Sequence, residues 1–82
     1  MVKFMSREAG LAALRLAKEV HSGQRSLPPD ILRKKADIRE ATRRAELFIL
    51  HLSAVDEGMV YKVVQLRLEL DGLYAAWFES EA

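Results

Sequence analysis

The apolar residues of this chain recur at helical spacing in three segments that two breaks separate. In the middle segment, one stripe advances by seven, three, four, three and four residues: Ile31, Ile38, Ala41, Ala45, Phe48 and Leu52. This spacing is typical of an amphipathic helix with one buried face. Pro28-Pro29 precedes the stripe, and proline is favoured in the first turn of a helix. The pattern predicts a helix over about 29–53.

The first segment is rich in alanine on one side and charged on the other. Ser6 can accept a hydrogen bond at the start of a helix, and Glu8 would lie in the first turn, where the helix dipole favours an anion. Ser22-Gly23 is a typical stop. These signals predict a helix over about 6–22 whose small side chains allow close approach by a neighbour.

The last segment has two competing interpretations. Residues 65–71 alternate between polar and apolar, and Asp71-Gly72 favours a two-residue turn, so a β-hairpin is one of them. A stripe at steps of four, three, four, three and four residues favours a helix instead: Met59, Val63, Leu66, Leu70, Leu73 and Trp77. Because this stripe is the longer pattern, we predict a helix over about 58–79.

The break between the second and third segments carries mixed signals. Gly58 can end a helix, whereas Ser53 with Asp56 three residues later can start one. The chain is expected to turn here in either case. Together the three segments predict a single small all-α domain over residues 1–82. We expect a three-helix bundle in which the two longer helices form an antiparallel hairpin and the first helix packs across it.

The predicted third helix has more apolar surface than one neighbour can bury. A second apolar group lies about 100–200° around the helix from its main stripe: Val60, Tyr61, Val64, Leu68, Ala75 and Phe78. In a compact monomer, the first and second helices would cover these two faces. The alternative is a second copy or another protein on the uncovered face. Leu32, Leu47 and Leu50 also fall outside the main stripe of the second helix, so we favour a homodimer or an obligate partner.

Composition narrows the function classes. The 82 residues contain 13 Lys and Arg and 12 Asp and Glu, a net charge of +1, so no strong overall field attracts nucleic acid or acidic lipid. The chain has no cysteine, which excludes disulfides, thiolate zinc sites and a cysteine nucleophile. Charged residues interrupt every apolar run, so we expect neither a signal peptide nor a membrane span, and a cytoplasmic location.

The sequence shows no arrangement that predicts catalysis. His21 and His51 lack a second histidine or a cysteine at metal-ligand spacing, and no glycine-rich phosphate loop is present. Glu79 and Glu81 are expected to lie in a frayed end without a pocket. We expect no enzyme activity, no cofactor and no metal.

The candidate binding residues form one basic set and one apolar set. Lys35, Arg39 and Arg43 would line up at spacings of four, a row of like charge that needs neutralisation by Glu69 or Asp71, a partner's carboxylates or phosphates. The candidate apolar anchors on the third helix are Tyr61, Leu68, Trp77 and Phe78. These sets predict a regulatory or accessory protein, such as an inhibitor or adaptor, that binds another protein through helix faces. The alternative is a nucleic-acid-binding regulator that uses the basic row.

One resemblance rests on the second segment. Leu27-Pro28-Pro29 opens a helix that contains Ile38-Arg39 and Arg43-Arg44 and is followed by a last long helix. Over about half of the chain this faintly resembles the TraM quorum-sensing antiactivators, small helical dimers that sequester a transcription factor. The shared elements are generic helix-opening and basic-helix features, so no family residue is transferred to this sequence.

Overall fold

The computed structural model describes residues 5–82, and this part of the chain forms three helices without a strand. Helix α1 spans Arg7–His21, α2 spans Pro29–Leu52 and α3 spans Glu57–Ser80. The predicted all-α fold is confirmed, and each helix end lies within one residue of its predicted position. Residues 1–4 lie outside the described residues, so the structure does not test the expectation that the chain starts without a signal peptide.

Local hydrogen bonds define the helix starts. The Ser6 hydroxyl accepts from the Ala9 amide at 3.1 Å and caps α1, as predicted. The Asp56 carboxylate accepts from the Met59 amide at 3.3 Å and caps α3. Helix α2 starts at Pro29 without a side-chain cap, because the preceding Pro28 has no side-chain acceptor. The Ile31 amide donates instead to the Asp30 carboxylate at 2.9 Å.

The turn between α2 and α3 is confirmed, but both detailed interpretations of it were wrong. Ser53 does not cap α3. It ends α2 in the left-handed region, with φ 48°, and donates its amide hydrogen to the Ile49 carbonyl at 2.9 Å. Gly58 does not end a helix either, because it lies in the first turn of α3. A left-handed residue that closes a helix is normally glycine, which explains why the serine was misread.

The β-hairpin alternative at Asp71-Gly72 was also wrong, because α3 continues through both residues. The alternation over 65–71 is too short to override the stripe that runs along the whole segment. Leu66 lies on that stripe and is buried. Burial against a neighbouring helix therefore decided the conformation of the segment.

Helix α3 lies between the other two helices. It packs against α2 and against α1, whereas α1 and α2 share no close backbone contact among residues 5–82. The predicted three-helix bundle is therefore confirmed, with α1 packed on the α3 side of the hairpin. The buried apolar side chains come from all three helices: Ala9, Ala12, Leu16, Ile31, Ile38, Ala45 and Leu66. Ala9 and Ala12 let α1 approach α3 closely, as the alanine-rich face predicted.

The chain is flat and extended for its size. Its principal extents are 47, 31 and 16 Å, and its radius of gyration is 15.8 Å, against about 12 Å for a compact domain of this length. Its accessible surface is 6482 Å², against about 5000 Å² for a globular monomer of this mass. The single chain is therefore not the compact monomer that would cover both faces of α3.

Candidate protein-binding surface

A groove of about 570 Å³ between α2 and α3 gathers the predicted basic row. Its floor contains Ile38 and Leu70, and its walls carry four cations and one carboxylate: Lys35, Arg39, Arg43, Arg67 and Glu46. We call this feature the basic groove. Sequence analysis predicted the three cations of α2 but missed Arg67 of α3. Arg67 lies beside them because of the way α3 aligns with α2, which the sequence does not specify.

The basic groove is not neutralised from within. Lys35, Arg39 and Arg67 have no ion pair in the part of the chain that the structure describes, and Arg43 reaches only Glu40, at 3.8 Å. The expectation that Glu69 or Asp71 would neutralise the row was wrong. Glu69 binds the ammonium group of Lys34 at 2.7 Å instead. Lys34 and Lys35 point about 100° apart on α2. The alignment of α2 with α3 therefore brings Lys34 to Glu69 and leaves Lys35 without an ion pair among the described residues.

The other side of the hairpin has a groove of about 610 Å³ that is lined by three carboxylates and two cations. Asp37, Glu40 and Asp56 line it together with Arg44 and Lys62. Arg44 also forms an ion pair with Glu40 at 3.1 Å. This groove has an excess of one negative charge, whereas the basic groove, with four cations and one carboxylate, has an excess of three positive charges.

The Lys34–Glu69 pair makes a pH-dependent contribution to stability. The hydrogen bond from the Lys34 ammonium lowers the pKa of the Glu69 carboxyl below its usual value, and this effect outweighs the opposing effect of desolvation. The charges of Lys34 and Lys62 reinforce the lowering. A carboxyl whose pKa is lowered on folding stabilises the protein above its unfolded-state pKa. That stabilisation disappears as the pH falls through the folded-state pKa.

We therefore expect Lys34→Met to destabilise the protein slightly at pH 7 and not at pH 3. Urea unfolding followed by circular dichroism at both pH values measures the difference from the wild type. Lys18→Met is the matched control, because Lys18 is exposed and has no ion pair among residues 5–82. A deficit of Lys34→Met that stays equal at both pH values would contradict an electrostatic origin.

The predicted apolar anchors do not form one surface. Tyr61 and Leu68 are 67% and 66% exposed and lie on the side of α3 that faces away from α2. Trp77 and Phe78 are half-buried in a groove shared with Leu16 of α1. The ring centroids of Trp77 and Phe78 are 6.1 Å apart. Tyr61 and Leu68 are thus free to meet a partner, whereas Trp77 and Phe78 belong to the α1–α3 contact.

The turn between α2 and α3 forms an apolar tip that sequence analysis described only in part. Five large side chains in the last two turns of α2 and in the turn that follows it are exposed: Leu47, Ile49, Leu50, Leu52 and Val55. No described helix covers them, because α1 packs at the opposite end of the hairpin, near Trp77. The patterns of the separate helices gave no signal for this tip, since it arises where the hairpin extends beyond α1.

The residues that could serve in catalysis or metal binding are not gathered into one site among residues 5–82. His21 and His51 are both exposed. Among residues 5–82, no group of three histidine, aspartate or glutamate side chains is placed to hold a metal ion. No helix of the described chain combines the length and apolar character that a membrane crossing requires.

Comparisons with known proteins do not indicate a function for this chain, so any functional assignment rests on the surfaces described above. No family model matches the chain, and neither the curated proteins nor the solved structures give a significant match. The resemblance to the TraM antiactivators therefore gains no support.

Proposed function

We propose that this protein is a non-catalytic regulatory or accessory protein that binds an acidic amphipathic helix of another protein in the basic groove. The observation that carries this proposal is the combination of four cations, of which three have no ion pair among the described residues, with an apolar floor formed by Ile38 and Leu70. Apolar side chains of the partner would pack on this floor. Its carboxylates would neutralise the cations and set its orientation.

The composition of the basic groove favours a protein over a nucleic acid. Its floor is apolar, Glu46 lies among the cations, and no aromatic side chain of residues 5–82 lines it to stack on bases. A phosphate backbone would gain only from the cations, whereas an amphipathic helix would gain from the cations and the floor. A nucleic-acid-binding regulator is therefore the alternative that the experiment must distinguish.

The proposed setting follows from composition. A chain without cysteine suits a reducing compartment, so we place its activity in the cytoplasm. The proposed inhibitor or adaptor role requires only docking, and no step in it uses the two exposed histidines.

Site-specific photo-crosslinking from Thr42 tests the proposal. Thr42 lines the basic groove, and its hydroxyl has no hydrogen-bond partner in the described chain, so a photoreactive amino acid there reports on an occupant of the groove. We expect a protein adduct in the native host. The adduct partner is then purified and titrated against the wild type by calorimetry at about 50 and 500 mM salt.

Charge reversal provides the matched comparison. Arg39→Glu with Arg43→Glu is expected to weaken binding of the purified partner at least about tenfold, because two favourable contacts become repulsive. Arg33→Glu with Arg44→Glu makes the same charge change on the same helix outside the basic groove, so it should leave the affinity within about twofold.

Two outcomes would reject the proposal. Equal effects of the two double variants would show that the basic groove is not the binding site. Tight binding of a labelled 20-base-pair DNA duplex, with affinity falling log-linearly as salt rises, would assign the cations to phosphates instead.

A further inference from the structure

The side of α3 that faces away from α2 carries large side chains in the first half of the helix and small ones in the second half. Tyr61, Val64 and Leu68 lie on this side and are exposed. Gly72 and Ala75 continue the same strip and are exposed as well. A Cβ atom added at Gly72 would meet nothing within 4 Å, so the single chain leaves open space there. A glycine inside a helix costs about 1 kcal/mol relative to alanine, and no close approach by residues 5–82 requires a glycine at this position.

We propose that two copies of the chain associate through this strip, with their α3 helices antiparallel about a two-fold axis at Leu68. This arrangement places Tyr61 opposite Ala75 of the partner subunit and Val64 opposite Gly72 of the partner subunit. Each bulky side chain then meets a small one, and Leu68 meets its own copy. A parallel arrangement would place bulky residues against bulky residues and leave the space at Gly72 unfilled.

The charges beside the strip are self-complementary in the same arrangement. Arg67 and Asp71 lie on one flank of α3, one turn apart, and neither forms an ion pair among residues 5–82. In an antiparallel pair, a flank meets the same flank of the other helix. Arg67 therefore lies near Asp71 of the partner subunit, and the reciprocal pair forms on the other side of the axis.

The available surface is sufficient for a stable dimer. The chain exposes 6482 Å², roughly 1500 Å² more than a globular monomer of its mass, and a standard interface buries about 800 Å² per partner. The antiparallel arrangement also brings the α1 end of one copy to the apolar tip of the other. Exposed Leu11 and Leu14 on α1 and exposed Leu50 at the tip are then available to extend the contact.

Light scattering after size exclusion tests the association. We expect the wild type to have twice the 9.3 kDa mass of one chain at both low and high salt. Leu68→Glu should give a monomer with an unchanged circular dichroism spectrum, because this side chain is exposed in the single chain. Leu32→Glu is the control, since Leu32 is an exposed leucine on α2, outside the strip, and this variant should stay dimeric. A monomeric wild type, or a dimeric Leu68→Glu, would overturn the proposal.

Disulfide trapping tests the register, because the natural chain has no cysteine to interfere. Leu68→Cys should crosslink to its own copy on oxidation. Tyr61→Cys and Ala75→Cys should crosslink when mixed and not separately, because equal positions in the proposed dimer lie about 21 Å apart along the helices. Crosslinking of Tyr61→Cys to itself would show a parallel pair and reject the register. Binding in the basic groove is measured separately, so either proposal can fail without the other.

Discussion

Replacing Leu16 with alanine is expected to lower the free energy of unfolding by about 3 kcal/mol. Leu16 is one of the two largest side chains that are fully buried, and it lies on the face of α1 that meets α3. Truncation removes apolar contacts and leaves a cavity that the neighbouring backbone cannot fully close. In a domain of this size, such a loss is a large part of the total stability.

The loss should concentrate on α1, because only one of the other two helices packs closely against it. Among residues 5–82, α1 has close backbone contacts with α3 and none with α2. We expect the helical circular dichroism signal of Leu16→Ala to decline below the main unfolding transition as α1 detaches, with a lower midpoint for the whole protein. Leu14→Ala is the matched control in the same helix, since Leu14 is 65% exposed, and it should change stability by less than about 0.5 kcal/mol. Equal effects of the two variants would show that α1 does not pack as described.

The helices were predictable because their determinants are local. Ser6 caps α1 through an amide three residues away, and Pro29 opens α2 through its own ring geometry. The stripe that includes Leu66 spans most of α3, so burial against α2 outweighs the short alternation around it. Each of these signals can be read within one segment, and each helix end was accordingly placed to within one residue.

The binding surface was less predictable because it depends on how helices align with one another. The pairing of Lys34 with Glu69 leaves Lys35 free, and the same register brings Arg67 to the basic row of α2. No pattern within one helix specifies that register. The position of α1 is equally non-local, and it decides that Phe78 is half-buried while Tyr61 remains exposed. The residue types at the surface were therefore predictable, and their grouping was not.

The structure separates two surfaces that sequence analysis had combined. The basic cations line a groove between α2 and α3, whereas Tyr61 and Leu68 lie on the side of α3 that faces away from α2. One small partner cannot easily contact both. Assigning the outward strip to a second copy pairs Arg67 across the dimer and leaves the three α2 cations of the basic groove free on each subunit. The dimer would then present two equivalent sites, and a partner with two acidic segments would gain from avidity.

Ile31, the other large side chain that is fully buried, lies at the start of α2, one turn before Lys35 of the basic groove. Ile31→Ala is expected to cost about 2–4 kcal/mol, because it opens a cavity one turn before Lys35. Leu32→Ala is the control at the next position, where the side chain is 51% exposed, and it should change stability by less than about 0.5 kcal/mol.

Urea unfolding followed by circular dichroism, at one fixed protein concentration, measures both Ile31→Ala and Leu32→Ala. Since Ile31 is buried in α2, which packs against α3, we expect Ile31→Ala to unfold in one cooperative transition rather than to lose α1 first. A separate early loss of helix in Ile31→Ala, or a cost equal to that of Leu32→Ala, would show that the hairpin is not held at this end. A single transition at lower urea would instead show that the core of the α2–α3 hairpin and the basic groove on its surface are stabilised as one unit.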